Sequence, residues 1–221
     1  MKHTRILLSS ALFITSLQLS NAATITLAGD PIGGGQLIST TFTIGAFGTT
    51  GGVNNFPNGE PPADAIDSNG GTKYLNFAKL NTGYIVTPVL GLSNVTGITF
   101  TTANDASERD PMTFSLYGST TQTASTTPGA TFDLTNFTAI TLNQVTNLTA
   151  GPGNVNSVTF SNVGNFNTYL LVFPTVRDSA TANSMQIGDA LLTGTAIPEP
   201  SSLVLLGLGA ISLLARHRRN I

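Results

Sequence analysis

From Thr24 to Gly194 almost no stretch of this chain can run as an amphipathic helix. Its apolar residues come instead in short alternating runs broken by turn formers. The runs are TITLA near Thr24, LISTTFTIGAF from Leu37, KYLNF from Lys73, GYIVTPV from Gly83, TGITFTT from Thr96 and MTFSLYGS from Met112. FTAITL from Phe137, SVTFS from Ser157, YLLVFP from Tyr169 and MQIGDALLTG from Met185 complete the series. Between them lie NGEPP, DSNGG, PGA, AGPGN and NVGN, whose Gly, Pro, Asn and Asp set the φ angles that turns need. Many short strands at near-regular spacing predict an all-β fold, a jelly-roll sandwich. The Thr-rich GSTTQTASTTPGA reads as an exposed loop within it.

The two ends read differently. MKHTRILLSSALFITSLQLSNAA has a basic start at Lys2 and Arg5, an apolar centre from Ile6 to Leu19 and the small-residue pattern Ser20-Asn21-Ala22. These are the parts of a secretory signal, so residues 1–22 are expected to be removed on export. At the other end, Pro198-Glu199-Pro200 precedes an apolar run and the arginines Arg216, Arg218 and Arg219. From Ser201 to Ala215 there are 15 residues, about 22 Å of helix against roughly 30 Å of bilayer hydrocarbon. Such a segment enters a membrane only under strain, by tilting or by thinning the bilayer. The arginines would be held on the cytoplasmic side. The expected organisation is a signal helix over 1–22, one β-sandwich over 23–195 and a tail over 196–221 with a short hydrophobic helix.

Several kinds of chemistry are excluded by inventory. The sandwich has no histidine, since His3 lies in the leader and His217 in the tail, and the chain has no cysteine. Ser-His-Asp and Cys-His catalysis and histidine-bound zinc are therefore absent from it. An exported chain without disulfides must rely on its core, with or without a bound metal. Over residues 23–200 there are four basic residues (Lys73, Lys79, Arg109, Arg177) and eleven acidic ones, a net charge of 4 − 11 = −7. That balance speaks against nucleic acid as a partner, which is bound by clustered Lys and Arg. Glu60, Asp64, Asp67, Asp105, Glu108, Asp110 and Asp189 are raw material for a carboxylate pair of the glycosidase kind, but no spacing singles out a pair.

The tail, from Pro198-Glu199-Pro200 through Leu203–Ala215 to Arg216, Arg218 and Arg219, resembles the PEP-CTERM sorting signal of bacterial exported proteins. The resemblance implies recognition and processing by an exosortase in the membrane, after transient anchoring, and a destination at the cell surface or outside it. The middle of the chain is similar to the discoidin or galactose-binding-like jelly roll. The blocks that carry this are GEPPADAIDSNGGTKYLNF from Gly59, TGITFTTANDASERDPMTFSLYGS from Thr96 and VTFSNVGNFNTYLLVFPTVRDSATANSMQIGDALLTG from Val158. They run in the family's order from about Gly45 to Gly194, and imply a non-catalytic domain that associates with carbohydrate or exopolysaccharide. Two other readings stay open: a structural or adhesive matrix protein without a sugar site, and a carboxylate-based hydrolase.

Three loops carry the candidate residues. In AIDSNGGTKY, the side-chain oxygens of Asp67, Asn69 and Thr72 fall within six residues on a Gly-bent loop, a ligand type that calcium takes. The resemblance implies that this loop holds a structural calcium, completed by an acid on the last strand, here Asp189. The alternative is a polar turn in which Asp67 caps its own backbone. In ANDASERDP, the groups of Asn104, Asp105 and Arg109 suit sugar hydroxyls, or Arg109 pairs internally with a carboxylate to fix the loop. The chain has no Trp, so a stacking platform falls to Tyr74, Phe77, Tyr84 or Phe56, most of which sit at core spacing. Arg177, at the end of YLLVFPTV, is the last ligand candidate, with Gln186 placed to orient the turn that follows.

Overall fold

A computed structural model of the chain describes residues 22–38, 41–44, 56–125, 131–198 and Gly207. Thirteen strands are described: β1 (Ala23–Thr24), β2 (Ile32–Ile38), β3 (Thr41–Ile44), β4 (Tyr74–Asn76), β5 (Thr82–Val86), β6 (Ser93–Thr101) and β7 (Pro111–Ser119) come first. They are followed by β8 (Thr131–Asp133), β9 (Thr138–Val145), β10 (Val155–Thr159), β11 (Thr168–Val176), β12 (Met185–Ile187) and β13 (Asp189–Ala196). Among the described residues these strands pair antiparallel, in a four-stranded sheet ordered β1-β13-β6-β10, a seven-stranded sheet ordered β8-β3-β2-β5-β11-β7-β9 and a short pair β12-β4. The all-β sandwich expected of the alternating runs is what forms.

Two boundaries differ from the sequence reading, for physical reasons. LISTTFTIGAF spans a hairpin rather than one strand, and β2 begins earlier, at Ile32, and runs through Gly33-Gly34-Gly35. Glycine runs have low strand propensity, yet this one is required: a Cβ on Gly34 would lie 2.4 Å from Pro62 Cγ and 2.7 Å from the Tyr74 hydroxyl. MQIGDALLTG likewise divides at Gly188, β12 pairing with β4 and β13 with β6.

The core explains how the sandwich holds without disulfides. Phe100 from the smaller sheet packs on Phe114 and Phe173 from the larger, with ring centroids 5.1 and 6.3 Å apart. All three are fully buried, and each contributes about 2 kcal/mol or more of burial free energy. Two tyrosines cross between the sheets: Tyr84 of β5 donates its hydroxyl to Ala190 O of β13, and Tyr169 of β11 donates to Ser93 O of β6 at 2.6 Å. Burial drives both phenol pKa values upward, Tyr169 to about 12, so both remain donors at any physiological pH.

The expected signal helix, the apolar tail helix, and Glu199, Pro200, Arg216, Arg218 and Arg219 lie outside the described residues. Among the described residues no helix is long and apolar enough to cross a membrane. Ile197 donates its N–H to Leu92 O at 2.8 Å, so the sandwich remains hydrogen-bonded up to the residue before Pro198.

Candidate functional site

Residues 57–73, 102–110 and 177–189 are connections and short strands that the fold gathers together, and nearly every candidate side chain lies on them. Asp67 starts the loop between the 3-10 turn Pro62–Ala65 and β4. Its Oδ1 accepts the N–H of Asn69 at 2.9 Å, and its Oδ2 accepts the hydroxyl of Thr72 at 2.8 Å. The same hydroxyl lies 2.8 Å from Asn69 O. The Asn69 side chain turns away to accept the Gly71 N–H at 3.1 Å. Asp189, at the start of β13, reaches across and accepts the N–H of Ser68 at 2.9 Å. The fold thus brings Asp67, Asn69, Thr72 and Asp189 together, although Ser68 and Asp189 are 121 residues apart.

This cradle is rich in negative charge. Asp64 is pushed up to about 6 by burial and by the neighbouring Asp67 and Glu60, and Asp189 is raised by burial and by Asp67. These hydrogen bonds make the loop a turn capped by Asp67, and its carboxylate, the Thr72 hydroxyl and the Asn69 carbonyl are oxygens of the type that a hard cation takes. Asp67, Thr72 and the Asn69 carbonyl are the groups that would hold it, with Asp189 as the added acid. Among the described residues, no group of three or more acidic, His or Cys side chains is itself arranged as a metal cage. Main-chain and hydroxyl oxygens therefore have to supply part of any ligand set.

Beside the cradle, Lys73 is 7 % exposed and ion-paired to Asp105 Oδ1 at 2.7 Å and to Glu60 Oε1 at 3.4 Å. The bond to Lys73 holds the Asp105 carboxyl below its ordinary value. Gln186 of β12 donates its Nε2 to the carbonyls of Asp105 and Ala106, fixing the same loop from the other side. Sequence reading gave Lys73 no role. Its one signal is a lone Lys directly after an acid-rich loop and before a buried strand, where a charge needs a carboxylate partner.

The two arginines divide the work. Arg177 donates its Nε to Ser107 O at 3.1 Å and its Nη2 to Leu148 O at 2.8 Å, and sits 3.6 Å from Asp110 Oδ2. It is an internal clamp that ties the 107–110 loop to Leu148. The carboxylate it faces is completely buried, and burial pushes Asp110 up to about 7 against the pull of Arg177. Arg109, the other candidate for that role, has Glu108 at 3.9 Å and no acceptor for its Nε. Asn104 and Asp105 beside it are exposed. Of the proposed platform residues, Tyr74 and Tyr84 are 0 % and Phe56 is 1 % exposed, which leaves Phe77, partly exposed, after β4.

Comparison with known proteins adds the following. The chain is similar in structure to the family 32 carbohydrate-binding module of Clostridium perfringens NanJ, solved with galactose, at 13 % identity and a TM-score of 0.44 over 61 % of this chain and 85 % of that one. It is also similar to chitosan-binding module 1 of a chitosanase/glucanase from Paenibacillus sp. IK-5, at 12 % identity and a TM-score of 0.47 over 78 % and 99 %. A third is CBM32-3 from a family 31 glycoside hydrolase of Clostridium perfringens, at 12 % identity and a TM-score of 0.46 over 62 % and 83 %. No curated protein matches the chain. Residues 196–219 match the family described as the PEP-CTERM protein-sorting motif. The chain therefore carries, directly after its β-sandwich, the PEP-CTERM sorting motif of exported, surface-targeted proteins.

Proposed function

We infer that this is a non-catalytic carbohydrate-associating protein of the cell surface or extracellular matrix, sorted by an exosortase and contacting sugar or exopolysaccharide through the loop around Arg109. The observation that carries the reading is the unequal commitment of the two arginines. Arg177 and Lys73 hold the loop in place, while the partly exposed Arg109 side chain is paired only loosely, with Glu108 at 3.9 Å, beside the exposed Asn104 and Asp105. A planar fork next to an amide and a carboxylate supplies the fixed donors and acceptors that sugar hydroxyls need. With no Trp and most other aromatics in the core, stacking adds little, and a single site is expected to bind in the millimolar range, worth about 4 kcal/mol. Many copies on one surface then supply avidity.

Titration of the exported protein with simple sugars and host polysaccharide tests this. Arg109→Ala is expected to weaken binding about tenfold, the loss of a charged hydrogen bond, with its circular dichroism spectrum unchanged. Equal binding by the folded variant removes Arg109 from the site. Absence of binding to any glycan by the unaltered protein favours a structural matrix role.

We also propose that the cradle at Asp67, Asn69, Thr72 and Asp189 takes a structural calcium ion, supported by these oxygens and the raised carboxylates around them. A ligand bound only by the folded form adds about 2.7 kcal/mol at a hundredfold excess over Kd. The melting temperature is expected to rise with calcium over chelator, a gain that Asp67→Ala abolishes and Asp189→Ala weakens. An unchanged melting temperature leaves the loop as a self-capped turn.

A further inference from the structure

The chain from Leu134 to Val176 contains no Asp, Glu, Lys, Arg or His in 43 residues, although residues 23–200 carry a net charge of −7. In the fold its first part, from β9 to Phe166, lies along one side of the sandwich, while β11 runs between β5 and β7 inside the larger sheet. β9 is the outermost strand of the larger sheet and β10 of the smaller, so both sheets end there among the described residues. The Asn156 amide bonds Thr146 O at 2.7 Å between them, and Phe160 packs on Phe114 of β7. Farther along, a groove of about 210 Å³ runs between Thr138 and Ile140 of β9 and Asn162, Val163 and Phe166. Four of the eight large apolar side chains exposed among the described residues, Leu142, Val145, Val155 and Val163, lie on this side.

The two edges differ. β9 is interrupted by register shifts against β7, and Asn143 within it has φ 50°, so its outer edge is irregular. β10 pairs with β6 in unbroken register from Val155↔Thr101 to Thr159↔Gly97. The bonds Thr102 N to Asn154 O and Phe160 N to Thr96 O show that the even-numbered residues point their backbone groups at β6. Val155, Ser157 and Thr159 therefore aim their N–H and C=O groups outward, and all three are exposed. Edge strands are ordinarily guarded by Lys, Pro, an inward charge or a bulge. β10 has none of these.

We propose that β10 is a self-association edge, pairing antiparallel with β10 of a second copy about a two-fold axis at Ser157. The four-stranded sheet then continues from one molecule into the next. Ser157 faces Ser157 of the second copy, Val155 faces Thr159, and the exposed apolar residues flank the seam. Charge selects a second copy as the occupant. Two molecules of this acidic protein repel through much of their surface, and β10 with the chain around it, from β9 to Phe166, brings no charged side chain of its own to the seam. The pairing is isologous, so it closes on a dimer. It does not depend on the sugar reading, because Arg109 lies outside this stretch.

Sedimentation equilibrium of the exported protein is expected to show a concentration-dependent dimer. Ser157→Lys places like charges opposite each other at the axis and is expected to weaken dimerisation about tenfold or more, at an unchanged melting temperature. Val89→Lys, exposed and outside this stretch, leaves it within about twofold. Because the chain has no cysteine, Ser157→Cys supplies a second readout that does not depend on the lysine variant folding. Facing residues of such a pair have Cα atoms about 5.5 Å apart, within disulfide reach, so mild oxidation is expected to give a cross-linked dimer. A monomer at every loading, or a dimer that survives Ser157→Lys with no Ser157→Cys cross-link, overturns the proposal.

Discussion

Arg177→Ala is expected to cost about 3–5 kcal/mol, seen as a melting temperature lowered by roughly 10 °C near pH 8. The reason is what the arginine leaves behind. Asp110 is fully buried, neither carboxylate oxygen has a hydrogen-bond donor, and Arg177 is the one cation paired with it among the described residues. Removing the guanidinium also frees Ser107 O and Leu148 O, so the 107–110 loop loses its tie to β11. The effect has a characteristic pH dependence. Asp110 holds its proton up to about pH 7 in the fold, whereas the unfolded chain releases it near 4. The folded form therefore binds more protons between those values, and this group's contribution to stability falls as pH rises from about 4 to 7. In acid Asp110 is neutral and needs no cation, so the Arg177→Ala defect shrinks towards pH 5. Adding Asp110→Asn to Arg177→Ala is expected to recover about half of the loss at pH 8. Thermal melts of the unaltered protein and the two variants at both pH values check this, and a defect independent of pH would show that Asp110 is not its source.

Gly83→Val is expected to be the most damaging single change among those considered, leaving little or no folded protein. Gly83 lies on β5, in the middle of the seven-stranded sheet, opposite Val172 of β11 and Gly35 of β2. A Cβ there would lie 1.9 Å from Leu171 O and 2.9 Å from its carbonyl carbon. Those atoms are backbone and cannot rotate aside as a side chain would. Relief requires separating β5 from β11, which breaks ladder bonds and opens the core beside Tyr84 and Leu171, both completely buried. Overpacking in ordinary cores costs about 1–3 kcal/mol, and a clash with a central strand's backbone exceeds that. Gly83→Ala is the milder form and is expected to reduce soluble yield and lower the denaturant midpoint. Wild-type stability in Gly83→Ala would mean that the two strands stand farther apart than described.

The sequence by itself determined the class of fold, the exclusions and the sorting tail. Each rests on a local property: period-two alternation separates strand from helix, inventory removes His and Cys chemistry, and a Pro-Glu-Pro motif before an apolar run and arginines is a contiguous motif. The same locality made MQIGDALLTG look like one strand, since nothing in ten residues says that its halves pair with β4 and β6. What only the tertiary structure decided is which charges are spent on holding the fold. Arg109 precedes Asp110 and Arg177 precedes Asp178, so the two arginines look equivalent along the chain. In the fold, Arg177 reaches Asp110 from the end of another strand, and Lys73 crosses 32 residues to Asp105. Burial makes the difference. A carboxylate removed from water needs a nearby cation at whatever sequence separation, and desolvation arises only when the strands have packed.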